Sequence, residues 1–536
     1  MLSSPVNSEF FAHFFCIYAI ITTVSCTPFY LSWRYRMLWK NEHEINRCVL
    51  CAGAPCSAAC PKALDPAGRI RSLYFANPYG AVKDLPENPC ADCPAPCEKA
   101  CILTEREGHI KIRNLMKEVE KIAENAETVN PDLPSPDLSA DICGVRLENP
   151  FLLSSSVVAS SFEMCKRAFE AGWAGAAFKT ICLFPQHEAS PRFSVVRSRT
   201  GSFFGFKNIE QLSDHAPEEN LSIFRDLKAL FPDKVIVASI MGRNEEEWTY
   251  LASECTKAGA DVLELNFSCP NMEDGALGVT IGQSEELIER FTAAAKKGTT
   301  LPVLAKMTPN ITDMVPMAEA AKRGGADGIA AINTIKSITG INIDTLSPEP
   351  SVRGISAEGG YSGQAVKPIA LRFISDLASA KSLEGMHISG MGGIENWRDA
   401  LEFLLLGSGS LQITTSVMQY GYRIIEDLLS GLAGYIKERN IPDLYSLIGG
   451  ASENVTALDS LERDTILFPK FHTEKCIGCG RCYISCLDGG HQAISFDSGT
   501  RKPKLLGNRC VGCHLCRYVC PAGAIGTASK RVAYSR

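Results

Sequence analysis

Between Asn149 and about residue 435, eight short apolar runs recur at Pro150–Ser155, Gly175–Leu183, Val235–Met241, Val262–Phe267, Pro302–Met307, Gly328–Asn333, His387–Gly392 and Ser410–Thr414. Helical stretches follow most of them, at Ser161–Ala171, Glu245–Ala258, Ser284–Lys296, Val315–Arg323, Lys367–Ala380, Trp397–Leu406 and Val417–Lys437. Short runs without polar alternation are buried strands, and eight of them alternating with helices predict an α/β fold, a (β/α)8 TIM barrel. Two connections, Phe184–Glu218 and Ile335–Val366, are too long for simple barrel loops. They are expected to form lids or substrate walls at the mouth.

A barrel of this kind keeps its chemistry where the strands end. Strand four runs into Asn266-Phe-Ser-Cys269-Pro, so Asn266 and Ser268 share a strand face and Cys269 opens the loop. A lone thiol there can be a small packing residue; beside these polar groups it is also a candidate acid. Strand two ends in Lys179-Thr180, strand five in Lys306-Met-Thr308, strand six in Asn333-Thr334, strand seven in Gly392-Gly393 and strand eight in Thr414-Thr415-Ser416. The ends of strands seven and eight are where barrels bind a phosphate through backbone N–H groups. A buried lysine is costly unless paired or functional, and the strands carry two. Beside a flavin, such a lysine stabilises negative charge on the reduced ring.

The chain has 23 cysteines, of which two groups of eight lie at either end and five in the barrel region. Their spacing of a few residues is too tight for a disulfide framework in 536 residues and suits thiolate ligands of iron–sulfur clusters. The first group is Cys48-x2-Cys51-x4-Cys56-x3-Cys60 and Cys90-x2-Cys93-x3-Cys97-x3-Cys101, with helices expected around Arg69–Ala76 and over Ile112–Glu124. Eight thiolates suit two cubane clusters, with zinc the structural alternative. The second group is Cys476-x2-Cys479-x2-Cys482-x3-Cys486 and Cys510-x2-Cys513-x2-Cys516-x3-Cys520-Pro521. This is a two-cluster ferredoxin run, in which the fourth cysteine of each copy serves the other cluster. One set is then Cys476, Cys479, Cys482 and Cys520; the other is Cys510, Cys513, Cys516 and Cys486. The resulting layout is an apolar segment 1–43, a helical iron–sulfur domain 44–125, a linker 126–140, the barrel 141–440, a second linker 441–465 and a ferredoxin domain 466–536.

Iron–sulfur clusters imply a reducing compartment, hence the cytoplasm. A net charge of -6 and a pI near 5.9 offer no basic face for nucleic acid. Phe10–Trp33 carries no charge and is followed by Arg34, Arg36 and Lys40, which is long enough for a membrane anchor. The other reading is a start at Met37, just before the first cysteines. No Gly-x-Gly-x-x-Gly joins a strand to a helix, so electrons are expected to arrive through the clusters.

From about Asn46 to Ile525 the chain resembles dihydropyrimidine dehydrogenase: the barrel and ferredoxin resemble its pyrimidine-reducing half, and the N-terminal domain its helical double-cluster domain. The matching runs include Phe169-Glu-Ala-Gly-Trp173, Asn208-Ile-Glu210, Glu264-Leu-Asn-Phe-Ser-Cys269-Pro, Lys306-Met-Thr-Pro-Asn310-Ile-Thr-Asp313 and Ser362-Gly363. Dihydroorotate dehydrogenase-like flavin barrels share several of them. The resemblance implies FMN in the barrel with uracil or thymine above it, hydride passing from flavin N5 to pyrimidine C6 and Cys269 protonating C5. It assigns Asn208, Glu210, Asn266, Ser268, Asn333 and Thr334 to the pyrimidine. Ser154, Ser155, Lys179, Thr180, Lys306, Gly363, Gly392, Gly393, Thr415 and Ser416 fall to the flavin. In the N-terminal domain it implies one cluster on Cys48, Cys51, Cys56 and Cys101. The family's second cluster uses three cysteines and a glutamine whose position falls near Met116, so Cys90 is the replacement beside Cys60, Cys93 and Cys97. The family's FAD- and NAD(P)H-binding domains are missing, so the expected electron donor is a separate FAD/NAD(P)H subunit or a ferredoxin, in an oligomer. The alternatives are a dihydroorotate dehydrogenase and an electron-relay flavoprotein without pyrimidine turnover.

Overall fold

The computed structural model describes residues 41–124, 136–198, 201–272 and 277–533. The apolar segment 10–33 and most of the first linker lie outside these residues. Among the described residues no helix is long and apolar enough to cross a membrane.

Eight parallel strands close into a barrel: β1 (Phe151–Leu153), β2 (Gly175–Ala177), β3 (Val235–Ile240), β4 (Val262–Asn266), β5 (Val303–Lys306), β6 (Gly328–Ala331), β7 (His387–Met391) and β8 (Ser410–Ile413). Each pairs with the next in sequence and β8 returns to β1. Every strand residue but His387 is buried, because side chains on one face fill the barrel and those on the other meet the helices. The helices begin where short polar side chains cap them. Ser161, Asn244 and Ser284 each accept a backbone N–H from the first turn, and Asn396 with Asp399 forms a capping box. One expectation is corrected: Val417–Lys437 is two helices, Thr415–Tyr420 and Ile424–Glu438, parted at Gly421 with φ 82°. A further helix, Pro217–Leu230, precedes β3.

Both long connections contribute strands. Phe193–Arg197 and Phe203–Asn208 come from the first; Ile335–Ser337 and Gly359–Ser362 come from the second. They join as one four-stranded antiparallel sheet, with Gly360 opposite Asn208 and Tyr361 opposite Lys207. Lys207, fully buried, donates to the carbonyls of Glu349 (2.9 Å) and Ala357 (2.8 Å), tying the two insertions together.

The N-terminal helices Pro66–Tyr74, Pro78–Val82 and Ile112–Glu124 share a core that includes Ile70, Leu73, Leu115, Met116 and Val119. This domain docks on Ile424–Glu438 around a buried carboxylate, with Arg71 also pairing with Glu426 and Tyr79 donating to Glu438. Asp427 accepts from Arg71 Nε (2.7 Å), Ser72 Oγ (2.6 Å) and Asn77 Nδ2 (3.1 Å), and Trp397 donates to the carbonyl of Ala76 (3.0 Å). Residues 441–453 continue against the barrel through Leu444 and Leu447. A second compact unit begins at Asn454, with paired strands Thr465–Phe471 and Ile525–Ala533, a hairpin of Ile494–Asp497 and Lys502–Leu505, and helices Arg481–Gly489 and Leu515–Tyr518.

Candidate active site and cluster pockets

The strand ends and the antiparallel sheet line an open cavity of about 1100 Å³, counting the solvent space at its mouth. Its wall gathers most of the polar residues singled out above: Ser154, Ser155, Lys179, Thr180, Asn208, Glu210, Asn266, Cys269, Lys306, Asn333, Thr334, Gly392, Gly393, Thr415 and Ser416. Two stand just behind it. Ser268 is fully buried, donating to Asn266 Oδ1 (3.1 Å) and accepting from Asn333 Nδ2 (2.8 Å). The carbonyl of Gly363 closes on Gly393, where an added Cβ would lie 2.8 Å from it.

Both strand-end lysines are paired, which answers the cost of burying them. Lys179 Nζ reaches Glu188 (3.3 Å), and Lys306 Nζ reaches the fully buried Glu264 (3.1 Å). The amides are held from behind. Asn266 donates to Thr180 Oγ1 (2.9 Å), and Asn208 donates to the carbonyl of Gly360 (3.4 Å). Asn333 Oδ1 accepts the N–H of Thr334 (2.8 Å). Glu210 is buried beside Arg192 Nε (3.0 Å), poorly aligned for a hydrogen bond; burial pushes its carboxyl up, against the pull of Lys179.

Cys269 is 7% exposed. Burial pushes its thiol up to about 11, although the N–H of Asn271 and the charges of Lys306 and Lys179 pull it down and Glu188 adds to the rise. A thiol in this setting keeps its proton at neutral pH, the state a proton donor needs.

The reading of strand ends missed Glu188, Glu264, Asn271 and Gln412. Glu264 and Gln412 had a signal: each is the lone carboxylate or amide in an apolar strand, and period-two alternation puts Glu264 on the face of Asn266. Glu188 and Asn271 lie in irregular loops, where periodicity says nothing.

The cavity fits a flavin mononucleotide on its own chemistry. Gly392 and Gly393 have φ of 124° and 84°, and a Cβ on either would meet packed neighbours at 2.8 Å, so this stretch of the cavity wall is bare backbone that only glycine can supply. Asn271 Oδ1 and Gln412 Oε1 are buried at the wall without partners. Unpaired buried acceptors are rare unless a ligand meets them.

The cysteines group as the spacing and the resemblance imply. Cys476, Cys479, Cys482 and Cys520 line one pocket of the C-terminal unit, and Cys486, Cys510, Cys513 and Cys516 line another. Cys60, Cys90, Cys93 and Cys97 line a third, with Met116 in its wall. Cys48 is pushed up to about 11 by burial, and the thiols of Cys56, Cys51 and Cys101 add to the rise, which places these four together. Among the described residues no three His, Cys, Asp or Glu side chains converge on a single-ion site. Quartets around a volume fit clusters better than lone zinc ions.

Comparisons with known proteins agree with this layout. Residues 137–436 match the model of the dihydroorotate dehydrogenase family, residues 470–526 a 4Fe-4S dicluster domain, and residues 35–128 the 4Fe-4S domain II of dihydropyrimidine dehydrogenase. The NAD-dependent dihydropyrimidine dehydrogenase subunit PreA of Escherichia coli is 54% identical over 390 residues, covering 73% of this chain and 95% of that protein. The chloroplastic NADP+ dihydropyrimidine dehydrogenase of Arabidopsis thaliana is 38% identical, over 60% of this chain and 78% of that protein. The catalytic subunit of dihydroorotate dehydrogenase B (NAD+) from Pyrococcus horikoshii is 36% identical, over 58% of this chain and 97% of its own. The barrel, its cavity and the cysteine domains on either side thus converge with these matches: the chain is an FMN- and iron–sulfur-dependent oxidoreductase of the dihydroorotate dehydrogenase family, built like the dihydropyrimidine dehydrogenase subunits within it.

Proposed function

We propose that this chain reduces the 5,6 double bond of uracil or thymine to the 5,6-dihydropyrimidine, reversibly, with electrons relayed through its clusters from an FAD/NAD(P)H-binding partner or a ferredoxin. The observation that carries it is a buried thiol, Cys269, in a cavity shared with four asparagine side chains, Asn208, Asn266, Asn271 and Asn333.

A uracil-like ring presents alternating N–H donors and carbonyl acceptors, which amides match with donors and acceptors of their own. Here each amide is braced by the protein. Asn266 spends its oxygen on Ser268 and one N–H on Thr180, while Asn271 donates to the carbonyl of Glu210 and leaves its oxygen free. Bracing lowers the cost of orienting the ring. A reduced flavin held in this cavity would supply the hydride that C6 receives. Cys269 then gives its proton to C5, and the thiolate left behind feels Lys179 and Lys306. Gly392, Gly393, Thr415 and Ser416 would hold the flavin phosphate, and Lys306 the ring. Clusters held by the cysteine quartets would supply electrons one at a time.

The E. coli relative is named as a subunit of an NAD-dependent enzyme, which supports an external nicotinamide-linked donor. The test is anaerobic purification with iron, sulfide and flavin analysis, followed by assay on uracil, thymine and dihydroorotate with an artificial donor or acceptor. Turnover of uracil or thymine is expected. Turnover of dihydroorotate alone would overturn the proposal in favour of a dihydroorotate dehydrogenase, and flavin reduction without turnover of any pyrimidine would leave an electron-relay flavoprotein.

A further inference from the structure

From the floor of the cavity a polar column runs down the barrel interior, and of its members the proposed reaction uses only Lys306. Glu264 on β4 accepts from Lys306 Nζ on β5 (3.1 Å) through one oxygen and from Gln412 Nε2 on β8 (2.9 Å) through the other. Gln412 Nε2 also donates to Ser389 Oγ (3.2 Å). Ser389 in turn accepts from Ser410 Oγ (3.0 Å), which meets His387 Nε2 (2.9 Å) at the bottom of the barrel. Both N–H groups of Gln412 are therefore spent on the protein. The orientation of its amide follows from charge, because turning it over would set its oxygen against the carboxylate of Glu264. What remains is Gln412 Oε1, an acceptor with no partner on a residue 2% exposed that lines the cavity. Leaving a buried acceptor unmade is costly, so a donor is to be expected on the ligand side.

On the reading that a flavin fills this cavity, the available donor is specific. The oxidised isoalloxazine ring carries several acceptors and a single N–H, at N3. We propose that Gln412 Oε1 accepts this N3–H, and that Glu264 is the positioning residue that holds the amide the right way round for it. Lys306, held on the same carboxylate, offers its remaining N–H groups to the acceptors on that edge of the ring. The two side chains present an acceptor and a donor to a ring edge that carries both. Gln412 lies on the strand itself, whereas Cys269 and Asn271 lie on the loop beyond β4, so the contact belongs to the deeper ligand.

The experiment uses the full chain stripped of flavin and titrated with FMN and with 3-methyl-FMN, followed by flavin fluorescence. The wild-type protein is expected to prefer FMN by at least about tenfold, a difference of about 1.4 kcal/mol. Q412M and Q412L are expected to bind both flavins within about threefold of each other, because the acceptor is gone. E264Q, which frees the amide to turn, is expected to shrink the preference as well. A wild-type preference near one, or a preference that survives unchanged in Q412M and Q412L, overturns the contact; the wild-type measurement decides even where a variant fails to fold. Failure of the wild-type chain to bind FMN at all would overturn the flavin reading and take the contact with it.

Discussion

Cys269 should behave as a thiol that stays protonated well into alkali. Its loss of a proton is pushed to about 11, against about 9 for an ordinary exposed cysteine. At pH 9 a group titrating near 11 is about 1% ionised, whereas an ordinary thiol titrating near 9 is about half ionised. Alkylation follows the thiolate fraction, so Cys269 should react with iodoacetamide on the order of 50–100-fold more slowly than a free thiol at that pH. Its rate should still rise about tenfold per unit from pH 8 to 10, read by mass spectrometry of the peptide carrying Cys269. Pyrimidine reduction should keep its proton donor over the same range, and Cys269→Ala should lose roughly 10²–10⁴-fold in rate. The sign for stability follows the same shift. The unfolded thiol ionises first, so the stability contributed is complete below pH 9 and is lost as pH rises from about 9 towards 11. An alkylation plateau near pH 9, or an alkaline limb near 8.5 that vanishes in Cys269→Ser, would refute the argument.

Three further outcomes are expected. Asp427→Ala removes the acceptor shared by Arg71, Ser72 and Asn77 while Arg71 keeps Glu426, should cost about 1–3 kcal/mol at the docking surface, and should make the first linker the preferred site of limited proteolysis; a cleavage pattern like wild type would contradict it. Lys306→Met leaves the carboxyl of Glu264 buried without its cationic partner, at a cost of about 3–5 kcal/mol in urea unfolding, much of which Glu264→Gln should restore when combined with it. Cys90→Ser should lower iron by about four atoms per chain, one cubane cluster, leaving the C-terminal EPR signals intact; unchanged iron would remove Cys90 from the third pocket's ligand set.

The barrel was legible because its strands are buried on both faces, so each reads as a largely apolar run such as Val235–Val237 or Val303–Ala305. Helix starts were legible where a cap is chemically explicit, as at Ser284. The break at Gly421 was not, since the apolar period runs on through Val417–Lys437 and only the positive φ of one glycine parts it. The insertion strands were hidden for a different reason. Phe203–Asn208 is half-buried by a partner about 150 residues away, and such pairing leaves no local period. The cysteine quartets were the opposite case, since cluster chemistry imposes local spacing. Within the cavity, residues at strand ends could be found by position, but Glu188 and Asn271 owe their places to loops. Lys306 could be marked as a buried cation, while its partner was visible only as an unexplained carboxylate one strand away.

The wall that carries Asn208 is completed by a strand from the other half of the barrel. Asn208 emerges between β2 and β3, but its neighbour Gly360 is made only after β6. During synthesis the first half-barrel therefore leaves the ribosome with an unpaired sheet edge, and the strand that covers it follows only after another 150 or so residues. At about 5–20 residues per second that interval lasts on the order of 10–30 s. The cavity is consequently among the last parts of the barrel to mature, and flavin loading belongs to the finished chain. A nascent chain stalled before Gly359 should bury its helices yet hold no flavin, with Phe203–Asn208 as the segment most in need of a chaperone.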